Sequence, residues 1–134
     1  MRIISIFILA LALSCNSVKI PTEIKANFQK SFPGVTGEEW SEDDGKYEAA
    51  FKVDGKEVTA TYTPAGVLEE TETKIPIADL PKEIEPYIKS KYPGMAIKEA
   101  SIVERGTNRM FEAEIEGKEL LFNEAGGFLF EEKD

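Results

Sequence analysis

The chain holds no histidine and one cysteine, Cys15. Ser–His and Cys–His nucleophilic pairs therefore cannot be assembled, nor can the usual zinc, copper and iron ligand sets. A Ser–Lys pair would need Ser90 beside Lys89 or Lys91. Those three stand at the end of an amphipathic stretch, where solvated polar residues are expected. Asp43-Asp44-Gly45 and Gly126-Gly127 lack the spacing of a phosphate-cradling loop and read as hairpin turns. Glu38, Glu39, Glu42, Asp43 and Asp44 could gather calcium, but they do not follow the EF-hand pattern and they flank a turn, so a solvated surface is the better reading. No catalytic residue, metal or cofactor is expected, and the protein reads as a non-enzyme.

The chemistry that remains is recognition by a polar strand face. Glu48, Lys52, Glu57, Thr59, Thr61 and Thr63 fall on one phase of two alternating segments. Glu112, Glu114, Lys118 and Leu121 are their expected equivalents further along. The candidate partner-binding set is Trp40, Glu48, Lys52, Thr59, Thr61 and Thr63. Trp40 has two readings: an exposed anchor, since Trp is enriched at interface hot spots, or a ring closing the core under a helix. The threonine face likewise has a second reading as an inert solvated surface, because Thr forms strands well without a partner. Glu69, Glu70 and Glu72, like Glu131 and Glu132, read as strand-end charges that discourage edge pairing.

The elements that must position these residues come in two similar sets. Ile20-Pro21-Thr22-Glu23-Ile24 returns as Leu80-Pro81-Lys82-Glu83-Ile84, and Phe32-Pro33-Gly34 as Tyr92-Pro93-Gly94. Tyr47-Glu48-Ala49 returns as Phe111-Glu112-Ala113, Gly55-Lys56-Glu57 as Gly117-Lys118-Glu119, and Ala65-Gly66 as Ala125-Gly126. Each set opens with a helix: Ile24, Phe28 and Phe32, then Ile84, Ile88 and Tyr92, each spaced to share a face. The Pro-Gly pairs end both helices. Pro86 requires the second helix to begin near Glu83, so that the ring sits in the first turn. The period then changes to two, with strands around Thr36–Ser41, Tyr47–Val53, Glu57–Thr63, Val67–Thr73, Ile97–Glu104, Phe111–Ile115, Leu120–Asn123 and Phe128–Glu131. The expected fold is α+β: a tandem repeat of a helix followed by three to four antiparallel strands, helices packed on one face of a twisted sheet.

The N-terminus reads MRIISIFILALALS, a basic residue followed by an apolar run about half the length of a bilayer-spanning helix. Residues 1–14 are therefore expected to be an export signal, and Leu13-Ser14-Cys15 resembles the bacterial lipobox, which implies a lipoprotein-type signal peptide with Cys15 the acylated residue and 15–19 a short linker. Ordinary signal-peptidase cleavage, giving a secreted protein with one free thiol, is the alternative. Residues 20–134 are expected to form one domain from the two sets, 20–75 and 80–134. About 120 residues can bury one respectable core, whereas about 60 would be marginal alone. The net charge of −9 argues against nucleic acid and against electrostatic attachment to anionic lipid.

The order helix, aromatic-Pro-Gly, a strand ending in Trp40, Tyr47-Glu48-Ala49, Asp54-Gly55-Lys56-Glu57, a glycine turn and Glu70-Thr71-Glu72-Thr73 resembles the PepSY-like envelope proteins, which are similar to the beta-lactamase inhibitory protein. The resemblance covers Val18 to Glu132. It implies an inhibitor or ligand-binding role for an exported protein, and the expectation is a monomeric binding or inhibitor-like module of the bacterial cell envelope, periplasm-facing or at the surface, with a protein or peptide partner and membrane contact only through the lipid on Cys15. It implies no catalytic residue. The alternative is a structural or assembly lipoprotein that docks into an envelope complex.

Overall fold

The computed structural model describes residues 17–133. Cys15 and the expected signal peptide, residues 1–14, lie outside those residues. Helix α1 spans Thr22–Ser31, and it is followed by strands β1 (Glu39–Asp43), β2 (Lys46–Val53), β3 (Lys56–Tyr62) and β4 (Leu68–Ile75). A single 3-10 turn at Ile77–Asp79 leads into α2 (Ile84–Lys91), then β5 (Glu99–Arg105), β6 (Asn108–Ile115), β7 (Lys118–Phe122) and β8 (Phe128–Lys133). The strands form one eight-stranded sheet in sequence order, and every neighbouring pair is antiparallel. The architecture is α+β.

Local chemistry explains the elements. Ile24 and Phe28 lie one helical turn apart and both are buried, as are Ile84 and Ile88. Glu83 is the N-cap of α2, so Pro86 falls in the first turn, where a missing N–H costs no helical bond. Asp44-Gly45 and Asp54-Gly55 both adopt positive φ between paired strands, the conformation that two-residue turns need to match strand twist.

Two apolar clusters result. Ile20, Ile24 and Phe28 pack with Ala49, Phe51, Val58, Ala60 and Tyr62. Ile84 and Ile88 pack with Ala113, Ile115, Leu120 and Phe122. The strand register carries this core phase across the sheet, from Phe51 to Val58, Thr73, Ile102, Phe111, Phe122 and Phe128.

The opposite phase departs from the expected solvated surface. In the second half it holds a third cluster, Val103, Met110 and Leu121, together with buried Ser101, Glu112 and Glu119. The reason is curvature. Arg105 on β5 bonds Glu70 on β4 and also Glu132 on β8, three strands away. In a flat sheet β5 and β8 would stand about 14 Å apart, so the sheet must curl over this phase.

Two further expectations are corrected here. Glu70 and Glu72 are not edge guards: β4 is a central strand, paired on both sides. Lys118 stands opposite Ile115, on the core phase, where its ammonium meets Glu131 and the Tyr92 ring. Phe128 and Phe130 are 37% and 38% exposed, because β8 is a terminal strand. Among the described residues no helix is long and apolar enough to cross a membrane.

Candidate functional site

The sheet leaves a cavity of about 440 Å³ on its non-core phase, beside β2 and β3. That volume lies within the usual range for ligand pockets. Its origin is a mismatch of strand lengths. β1 pairs with β2 only as far as Glu39 opposite Ala50, whereas β2 continues to Val53. Phe51, Lys52 and Val53 therefore have no β1 partner, and Thr36 and Gly37 form the far wall of the resulting gap. The floor comes from Ala50 and Thr59, which face each other across the ladder, and from Glu72 opposite Thr59.

Charged side chains ring this floor. Lys74 Nζ lies 2.9 Å from Glu99 Oε1 and 3.6 Å from Glu57 Oε2. Burial would lower the Lys74 ammonium, yet Glu99, Glu57 and Glu72 together hold it above its usual range. Glu72 is pushed up, first by burial and then by the neighbouring Glu70, while the Ser101 hydroxyl opposes this by donating to Oε1 at 2.9 Å. A held ammonium on Lys74, a second lysine, carboxylates and a threonine hydroxyl beside an open strand edge can bind polar groups and extended backbone.

Beyond Glu72 the same phase becomes an acidic interior. Glu112 is 6% exposed, and its carboxyl is pushed up to about 10 by burial and by Glu72, Glu119, Glu70 and Glu132. Glu119 is also buried. Arg105 closes the rim, giving two bonds of 3.1 Å to Glu132, one to Glu70, and stacking 5.9 Å from the Phe130 ring. Among the described residues no group of three or more side chains has a metal-holding arrangement.

Solved structures share this arrangement of helices and sheet. A BLIP-like protein from Bacteroides fragilis matches at a TM-score of 0.70 and 24% identity, covering 88% of this chain and 89% of that one. The fold is BLIP-like. A DUF2874 family protein from Bacteroides uniformis shares it at a TM-score of 0.73 and 17% identity, covering 86% of this chain and 90% of its own. So does a Bacteroides eggerthii protein described as periplasmic, with a TM-score of 0.71 and 16% identity, covering 86% and 89%. Neither the family models nor the curated proteins give a match to the sequence.

On this BLIP-like sheet the sequence-derived candidates separate into groups. Lys52 and Thr59 line the cavity. Glu48 and Thr61 face each other one step along the same phase, beyond its walls, and Thr61 is buried. Thr63 leaves the sheet: it lies past the end of β3, and its hydroxyl accepts from the Val67 N–H at 3.2 Å to shape the turn. Trp40 belongs to the core phase. Its ring lies 5.4 Å from Phe28 and 6.1 Å from Tyr62, and its indole N–H is buried with no hydrogen-bond partner among the described residues. The cavity residues that pattern reading passed over are Glu39, Ala50, Glu72 and Lys74. Continuing the alternation through Thr71 and Thr73 would have placed Glu72 and Lys74 on the polar phase. Nothing local signals Arg105 as the closing residue.

Proposed function

We propose that this chain is an exported, non-catalytic binding module of the bacterial cell envelope, anchored by a lipid on Cys15. It receives an extended segment or loop of a protein partner in the inhibitor-like manner that its PepSY-like sequence pattern implies. The observation that carries this reading is the cavity beside the unpaired end of β2, where three residues of strand edge meet Lys52, Lys74 and Glu57. An entering segment could continue the line of β1 and take up the open ladder positions, as strand addition does elsewhere. The absence of histidine from the chain and the periplasmic description of one solved relative support the same reading.

The module is, on this reading, a duplicated unit with both helices on one sheet face. The matched loops support that: Gly66 N–H donates to the Thr63 carbonyl and Thr63 N–H to Val67, just as Gly126 donates to Asn123 and Asn123 to Gly127.

Capture from envelope extract on the immobilised chain, made soluble by Cys15→Ala, tests the proposal. One protein should be retained in stoichiometric amount, and the double change Lys52→Glu, Thr59→Lys should lose it. Equal retention by both chains overturns the cavity as the site. Palmitate labelling that is equal in the wild type and Cys15→Ala overturns the anchor.

The second reading, a structural lipoprotein docking into an envelope assembly, is favoured by the terminal strand β8. Its Phe128, Leu129 and Phe130 are exposed on an edge with no further strand beyond it. Leu129→Lys should then abolish capture while the cavity variant retains it.

A further inference from the structure

The curled half of the sheet encloses more carboxyl groups than cations. Facing Glu112 are Glu70, Glu72 and Lys74 from β4, Arg105 and Glu99 from β5, Glu119 from β7 and Glu132 from β8, with Glu114 two residues along its own strand. Lys74 is engaged by Glu57 and Glu99, so Arg105 is the cation that spans the rim. Arg105 is also what joins β8 to β4 and β5 over this interior; the ladder reaches β8 only through β7. Beneath the clasp lie Val103, Met110 and Leu121, apolar groups that the curl keeps from water.

From this geometry we propose that β8 is a pH-controlled flap: the Arg105 clasp stays shut while the carboxyls beneath it hold protons, and their ionisation releases β8 and opens the interior. The balance follows from charge. With every carboxyl ionised, Glu70, Glu72, Glu112, Glu119 and Glu132 would crowd around Arg105 in a region with little water, and the repulsion falls most directly on Glu132, which the clasp must hold. The closed state avoids this by retaining protons that the open, hydrated state gives up. Glu112 and Glu72 are both raised in the closed state, so they hold protons above the ordinary carboxylate range. Opening releases these protons and is therefore driven by rising pH. Each proton released steepens the opening constant by up to roughly tenfold per pH unit.

Amide hydrogen exchange on the full chain, expressed as protection factors corrected for the intrinsic rate, tests this between pH 5 and pH 9. Protection of the β8 amides should fall by up to roughly tenfold per pH unit across this range, while the β2 amides change far less. Glu112→Gln keeps the shape of the side chain and removes its charge. It should hold β8 protected at pH 9 and flatten the slope. Arg105→Met should leave β8 poorly protected throughout the range, with β2 unaffected. A pH-independent β8 in the wild type, an undiminished slope in Glu112→Gln, or full protection in Arg105→Met would each overturn the proposal.

Discussion

At the scale of single residues, Trp40 separates two roles that one side chain can play. Its indole packs edge-on against Phe28, which is fully buried, yet its N–H is buried without a partner. The ring therefore contributes packing while the nitrogen costs desolvation. Trp40→Phe keeps most of the packing and removes the orphan donor, so its urea midpoint should stay close to wild type. Trp40 is half-buried, so Trp40→Ala, which opens a gap against Phe28, should lose less than the ~3–5 kcal/mol of a fully buried ring. A large loss in Trp40→Phe would show that the N–H has a partner after all. The same pair bears on recognition: a residue held in the core should change partner capture only as far as it changes stability.

At the scale of elements, the loop after β3 is pinned to α1. The Asn27 side-chain amide donates to the Gly66 carbonyl at 2.8 Å, and Gly66 has a φ of +83°. A Cβ added there would stand 3.0 Å from Asn27 Nδ2, whereas one added at Gly34, also at +83°, meets nothing within 4 Å. Gly34→Ala should therefore show the backbone penalty alone, about 1–2 kcal/mol, and Gly66→Ala should exceed it by the cost of displacing Asn27. Equal losses in chemical denaturation would remove Asn27 as an anchor. The helices, the turns at Asp44-Gly45 and Asp54-Gly55 and the start of α2 near Glu83, which Pro86 dictates, were legible in the sequence, because each depends on contacts or dihedrals within a few residues. The phase of each strand was mostly legible as well. Which strands are central was not, and so Glu70 and Glu72 read as edge charges. Nor could alternation reveal that the polar phase around Glu112 is enclosed, since Arg105 meets Glu132 only when the whole sheet curls. Half of the cavity was visible, in Lys52 and Thr59; the half on β4 required the register.

At the scale of the molecule, the buried carboxyls set the direction of the pH dependence. Glu112 and Glu72 bind protons more tightly folded than unfolded, so their contribution to stability is full below the ordinary carboxylate range and is lost as pH rises, for Glu112 toward about 10. Global stability by urea unfolding should accordingly decline from about pH 5 to pH 9, and Glu112→Gln should flatten that decline; a stability that climbs across this interval would contradict the burial of Glu112 as a protonated acid.

Continuity of the sheet bears on how the two cores unfold. The cluster around Phe28 and the cluster around Phe122 share no helix, but β4 pairs with β5 from Thr71 opposite Glu104 to Ile75 opposite Ala100. Each half alone would expose one side of that ladder and leave a core that is marginal for about 60 residues. The two halves should therefore unfold together. Trp40 is the only tryptophan and packs against the first cluster, so its fluorescence follows that cluster. Phe122→Ala deletes a buried ring in the second cluster, far along the sheet, and should cost about 3–5 kcal/mol. If β4 and β5 weld the halves into one cooperative unit, this change lowers the Trp40 fluorescence midpoint about as much as Phe28→Ala does. Independent halves would leave the Trp40 midpoint of Phe122→Ala at its wild-type value, while circular dichroism reported an earlier, separate transition.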